Sequence, residues 1–226
     1  MQSAPEEEQL RSQAWLSSSA LRRSYAFRAL VLAGACSPDL AFAHGRPIPG
    51  LEGFYTGMVH PLSTPPQLLA LLALGLLLGQ GWPQTFIIAW RAFAVSVIGG
   101  LILGAAGYGD SVGERALIAI ALAGSLLAAI APAWVIIPGT LLASAGGLFL
   151  GMVSTPEPGA LGATIITITG TYIGANLALF YASGGIGWLR TRFNKPWAVN
   201  GFRIIAAWVA AISCLMFALN VVSGVL

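Results

Sequence analysis

Residues Gly53 to Gln80 read GFYTGMVHPLSTPPQLLALLALGLLLGQ: a His-Pro pair at His60 and Pro61, adjacent prolines at Pro65 and Pro66, then an aliphatic run from Leu68 to Gly79. A run this bare has no polar face to turn toward water, so it belongs in a bilayer. The rest of the chain agrees. With 57% hydrophobic and only 8% charged residues, and a mean hydropathy of +0.80, it lacks the polar groups that cover a soluble domain. The fold class that follows is all-α, a polytopic membrane helical bundle. Its 28 glycines suit helices whose backbones approach closely, and no alternating strands of a membrane barrel are present.

Outward from that stretch, apolar runs bounded by Pro, Gly or charge predict about six transmembrane helices, at 65–81, 85–106, 114–131, 133–153, 160–182 and 202–222. Each is near the length that a hydrocarbon core of about 30 Å requires. The connections are GWPQ, YGDSVGE, a tight turn at Ala131-Pro132, STPEPG and the longer GGIGWLRTRFNKPWAVNG. Short loops join antiparallel neighbours, so residues 44–226 form a single up-and-down transmembrane domain.

Residues 1–43 read as a signal peptide. Glu6, Glu7 and Glu8 precede Arg22, Arg23 and Arg28, a short apolar run from Ala29 to Cys36, and Ala41-Phe42-Ala43. Basic, apolar and A-x-A in that order mark a secretory leader, and cleavage after Ala43 would make His44 the mature N-terminus. Pro38 and Asp39 interrupt the run, which makes a permanent helix the weaker alternative. Loop charge gives an independent orientation. With the mature N-terminus outside, Asp110, Glu114 and Glu157 face out, while Arg91, Arg190, Arg192, Lys195 and Arg203 face the cytoplasm, against Arg46 and Arg115. That is the positive-inside pattern of a multi-pass protein of the bacterial inner membrane with a periplasmic N-terminus.

The pI of about 9.2 does not imply nucleic acid, because the basic residues form no aromatic-basic face. Cys36 and Cys214 suggest no pair and no metal site; Cys214 reads as a small buried hydrophobe, and LAGAC around Cys36 resembles a lipobox with Ala33 where Leu is usual. No nucleophile-base set, Walker loop, dinucleotide fingerprint or haem motif is present, so no enzyme and no cofactor are expected. The expected partners are the lipid bilayer and, through the Gly-x-x-x-Gly spacings at Gly75/Gly79, Gly100/Gly104, Gly147/Gly151 and Gly170/Gly174, a homo-oligomer or partner membrane subunits. Trp82, Trp134, Trp188 and Trp197 fall near predicted span ends, as an aromatic belt would.

Candidate functional residues are few. Imidazole suits nickel and cobalt, and the chain's 2 histidines are His44 and His60. His44, once at the N-terminus, could chelate with its own α-amine. His60 could be a metal ligand, or could order a re-entrant or interfacial segment by hydrogen bonding. Glu114 either lines a pathway or caps a helix N-terminus near the outer face. The fifth span has the most polar interior: Thr167 and Thr171 share a stripe with Asn176 offset from it. They could line a polar pathway, or bond within their own helix and between helices.

From His60, the residues His60, Pro61, Leu62, Leu68, Leu69, Ala70, Leu72, Ala73 and Gly75 match the pattern H-P-L-x-G-x-D-H-L-L-A-x-L-A-x-G. This resembles the first mature helix of the HupE/UreJ family of nickel or cobalt permeases. In the resemblance, Pro66 and Gln67 stand where the family has Asp-His, and Glu114 falls on a Glu that opens the family's third helix. Leu150, Met152 and Ser154 replace imidazoles of a cluster like F-H-G-H-A-H-G, and TYIGANLALFY lacks a Leu-His pair. The family's mature chain often begins with His, as His44 would. The resemblance covers most of residues 44–222. It implies a secondary permease for a divalent metal (nickel or cobalt as the transported ion) or another small solute, with a non-transporting structural or assembly subunit as the alternative.

Overall fold

The computed structural model describes residues 52–108, 111–130, 136–156, 160–193 and 195–223. The leader, His44, Asp110, Glu157 and Trp134 lie outside them. Within them the chain is helical: α1 (Glu52–Ser63), α2 (Pro65–Gln80), α3 (Gln84–Ala105), α4 (Ser111–Ile130), α5 (Ile136–Val153), α6 (Leu161–Arg192) and α7 (Pro196–Ser223). Helices α3 to α7 are long and apolar enough to cross a membrane, and α1 with α2 passes the same test as a pair bent by 70°. The protein is thus an all-helical, multi-pass membrane protein.

The bend has a local cause. Neither Pro65 nor Pro66 has an N–H to return to the preceding turn, and a proline ring clashes with the carbonyl four residues back. Thr64 is therefore extended (φ −96°, ψ 113°) and Pro65 opens α2. The carbonyl of His60 closes α1 instead, accepting from Thr64 N at 3.2 Å and from the hydroxyls of Ser63 and Thr64, each at 3.0 Å.

Helix α2 is the centre of the bundle. Apart from Pro65, Leu68, Leu72 and Gln80, its residues are buried, packed by α4, α5, α6 and α7. At 16 residues and 1.5 Å rise it spans about 24 Å, short of the hydrocarbon thickness by itself. Helix α1 lies along the first half of α6 and α2 along the second: Gly57 faces Thr167 and Thr171, whereas Gly75 faces Ala182 and Gly79 faces Ser183 and Ile186.

Two close helix pairs frame this core. A Cβ on Gly104 would lie 2.5 Å from the Met152 carbonyl oxygen, and one on Gly147 would lie 2.6 Å from that of Phe93. Gly100 meets the Leu148 carbonyl and Gly151 that of Val97, so α3 and α5 touch backbone to backbone through glycines on both sides. The same arrangement joins α1 to α6, where Gly170 meets the Phe54 carbonyl and Gly174 that of Met58.

Two sequence expectations are corrected. The segment GGIGWLRTRFNKPWAVNG is not a long loop: α6 continues to Arg192 and α7 begins at Pro196. Backbone near a bilayer satisfies its own hydrogen bonds by staying helical, Gly187 is packed tightly against Trp82, and Pro196 is compatible with a helix start. Cys214 is exposed rather than buried. The inward face of α7 is Ala206, Val209, Ala210 and Ser213, and the next residue is turned about 100° away from it.

Candidate functional site

The break between α1 and α2 brings two buried polar residues of the core, Gln67 and Ser154, together. Gln67, on the first turn of α2, is 1% exposed, and Ser154, just past α5, is 5% exposed. Ser154 Oγ donates to Gln67 Oε1 at 3.1 Å, which turns the amide nitrogen of Gln67 toward His60 Nε2, 3.4 Å away. With His60 carrying its proton on Nδ1, that long contact is an amide-to-imidazole donation, and imidazole, amide and hydroxyl form one chain. The chain links three elements: the end of α1, the start of α2 and the end of α5.

These are positions where the resemblance placed metal ligands. Gln67 stands for a His and Ser154 for one of the clustered imidazoles, and the structure brings Gln67 to the retained His60 and Ser154 to Gln67. The chemistry differs from that of a metal cage, because the set holds no carboxylate or thiolate and two of its three members, Gln67 and Ser154, are bonded to each other. Among the described residues no group of three His, Cys, Asp or Glu side chains converges. The arrangement holds one imidazole at the junction of two half-helices; its Nε2 can ligate a cation only by giving up the long contact with the Gln67 amide.

The other candidates do not join this chain of bonds. Glu114 is exposed in the first turn of α4, a favourable place for an acid against the helix dipole. Thr167 and Thr171 donate to the carbonyls of Ala163 and Thr167 in their own helix, both at 3.1 Å, on the face that seats Gly53 and Gly57 of α1. Asn176 is 8% exposed; its Nδ2 donates to the Tyr172 carbonyl at 2.8 Å, while its Oδ1 is buried without a partner, as is Ser183 Oγ two turns further along α6.

Sequence reasoning treated Gln67 and Ser154 only as missing ligands, not as partners. Gly53 and Gly57 were missed too, although GFYTG contains the same Gly-x-x-x-Gly spacing.

At the opposite end, α2 and α4 are closed by side chains from α6 and α7. Arg190 Nη1 donates to the Gln80 carbonyl, Gln80 Nε2 to that of Ala128 at 2.8 Å, and Arg203 Nε to that of Ala129 at 2.6 Å. Cations on the last carbonyls of a helix are favoured by its dipole. Arg115, the cation at the Glu114 end, donates instead to Asn220 Oδ1 at 2.8 Å.

In comparison with known families, the model described as HupE / UreJ protein matches residues 30–216. No curated protein matches the chain, and no solved structure does.

Proposed function

Because this chain belongs to the HupE/UreJ family, whose role is membrane transport of nickel or cobalt, we propose that it is a secondary permease without enzymatic activity. Its solute, a nickel or cobalt ion or another small solute, enters at the break between α1 and α2. The observation that carries this reading is the His60–Gln67–Ser154 chain at that break. Broken membrane helices expose backbone and half-helix ends at their interruption and are recurrent sites of solute recognition in transporters. Here His60 is the direct ligand once its Nε2 gives up the Gln67 amide, Gln67 and Ser154 offer oxygen atoms, and Glu114, Thr167, Thr171 and Asn176 are candidate pathway contacts. The protein sits in the bacterial inner membrane with its basic end cytoplasmic, and residues 1–43 are removed as a signal peptide so that His44 begins the periplasmic face.

Uptake of nickel or cobalt by the purified protein in liposomes tests the proposal. The native chain should carry flux above empty vesicles, and His60→Ala should lower it at least tenfold. Absence of flux above empty vesicles rejects metal transport.

A second reading, a structural or assembly subunit of a larger membrane complex, has one observation in its favour: Gln67 and Ser154, at positions where the resemblance has ligands, are hydrogen-bonded to each other. It would be carried by a membrane partner that co-purifies at fixed stoichiometry while the liposome assay stays silent.

A further inference from the structure

The basic end of the bundle holds a cleft of about 400 Å³ between the end of α2 and α6 with the first turn of α7, lined by Gln80, Trp82, Gly187, Arg190, Thr191 and Val199. The Arg190 guanidinium closes one side, giving Nη1 to the Gln80 carbonyl, which leaves other N–H donors of its fork uncommitted. Arg192 and Lys195 follow on exposed positions, and Arg203 caps α4 nearby in the fold. The described carboxylates, Glu52 and Glu114, lie at the other end of the helices that run parallel, α1 and α4.

The walls of this cleft show at what depth it lies. Trp82 forms one wall, seated where Gly187 leaves no room for a Cβ: such an atom would be 2.6 Å from Trp82 Cβ. Trp188, Phe193 and Trp197 are exposed around the same end, with the Phe193 and Trp197 rings 5.8 Å apart. Exposed tryptophans at the ends of membrane helices mark the headgroup level. A cationic fork and an aromatic wall at that level match a phosphate diester with its acyl chains running up the bundle surface.

We propose that this cleft is a binding site for an anionic phospholipid headgroup, such as that of phosphatidylglycerol, independent of whatever solute crosses the bundle. The phosphate sits on the free donors of Arg190, while the Thr191 hydroxyl, which donates to the Trp188 carbonyl at 2.9 Å, only borders the cleft. Arg192 and Lys195 add attraction without direct contact.

The test is native mass spectrometry of the full chain in detergent, with phosphatidylglycerol and phosphatidylcholine offered at equal concentration. Phosphatidylglycerol should be retained at least fivefold better, and Thr191→Asp, which leaves the Arg190 contact in place, should lower that preference about fivefold, as expected for one unit of charge near the surface. If Thr191→Asp fails to fold, the Arg192→Ala, Lys195→Ala pair reads the same quantity from exposed positions and should abolish most of the preference. Equal retention of the two lipids, or an unchanged preference in the folded variants, overturns the proposal. So does displacement of the lipid by an equal concentration of orthophosphate, which would make the cleft a site for free phosphate.

Discussion

Asn176 separates structural from transport roles at the level of one side chain. Its Oδ1 is buried without a partner, a state that costs about 1–3 kcal/mol relative to a satisfied group. Replacing it by Leu removes that cost together with a hydrogen bond inside its own helix, so Asn176→Leu is expected to be neutral or stabilising by about 1 kcal/mol, read as the thermal midpoint in detergent. If Asn176 touches the solute, uptake falls in the same variant even as stability holds. A variant that keeps full uptake removes Asn176 from the pathway. At this scale the sequence was partly legible. His60 could be singled out by residue type, but Gln67, which contacts it, is held in turn by Ser154, 87 residues further along the chain, and only the packing of α5 beside α2 brings those two together.

Among elements, the glycine pairs make opposite predictions for one substitution. Gly151→Ala pushes a Cβ into the Val97 carbonyl of α3, and since both partners are backbone, the helices must separate at a cost of about 1–3 kcal/mol. Gly185, also inside a helix, would meet nothing within 4 Å, so Gly185→Ala should stabilise by about 0.5–1 kcal/mol through helix propensity alone. Thermal unfolding followed by circular dichroism in detergent compares the two, and equal shifts would deny that α3 and α5 are held by glycine contact. The spacing of Gly100/Gly104 and Gly147/Gly151 was visible in the sequence, because four residues return to one helix face. Which helices pair was not, since a small face fits any other small face. The extents of α6 and α7 were misjudged for a related reason: Gly, Arg and Lys read as a loop in a hydropathy profile, yet near headgroups they leave the helix unbroken.

For the whole molecule, the placement of charge is the testable property. Thr, Gln and Arg side chains close the bundle differently at its two ends, with Arg190 and Arg203 on helix carbonyls at one and Glu114 in a first turn at the other. In a background with Cys36 and Cys214 replaced by Ser, cysteines introduced at Val112 and Lys195 should react with an impermeant maleimide from opposite sides, the latter only after the membrane is opened from the cytoplasm. Labelling of both from one side would contradict the orientation. The span pattern was legible because apolar length alone selects membrane helices; the burial of α2 at the centre was not, because in lipid an aliphatic helix reads alike whether it faces tails or neighbours. That central place has a consequence during synthesis. Helix α2 leaves the ribosome before α4, α6 and α7, the helices that enclose it in the fold, so its own side chains have to be compatible with lipid until those helices are made. LLALLALGLLLG tolerates that interval, and Gln67, its one deeply buried amide, stands at the edge nearest water until α5 arrives with Ser154.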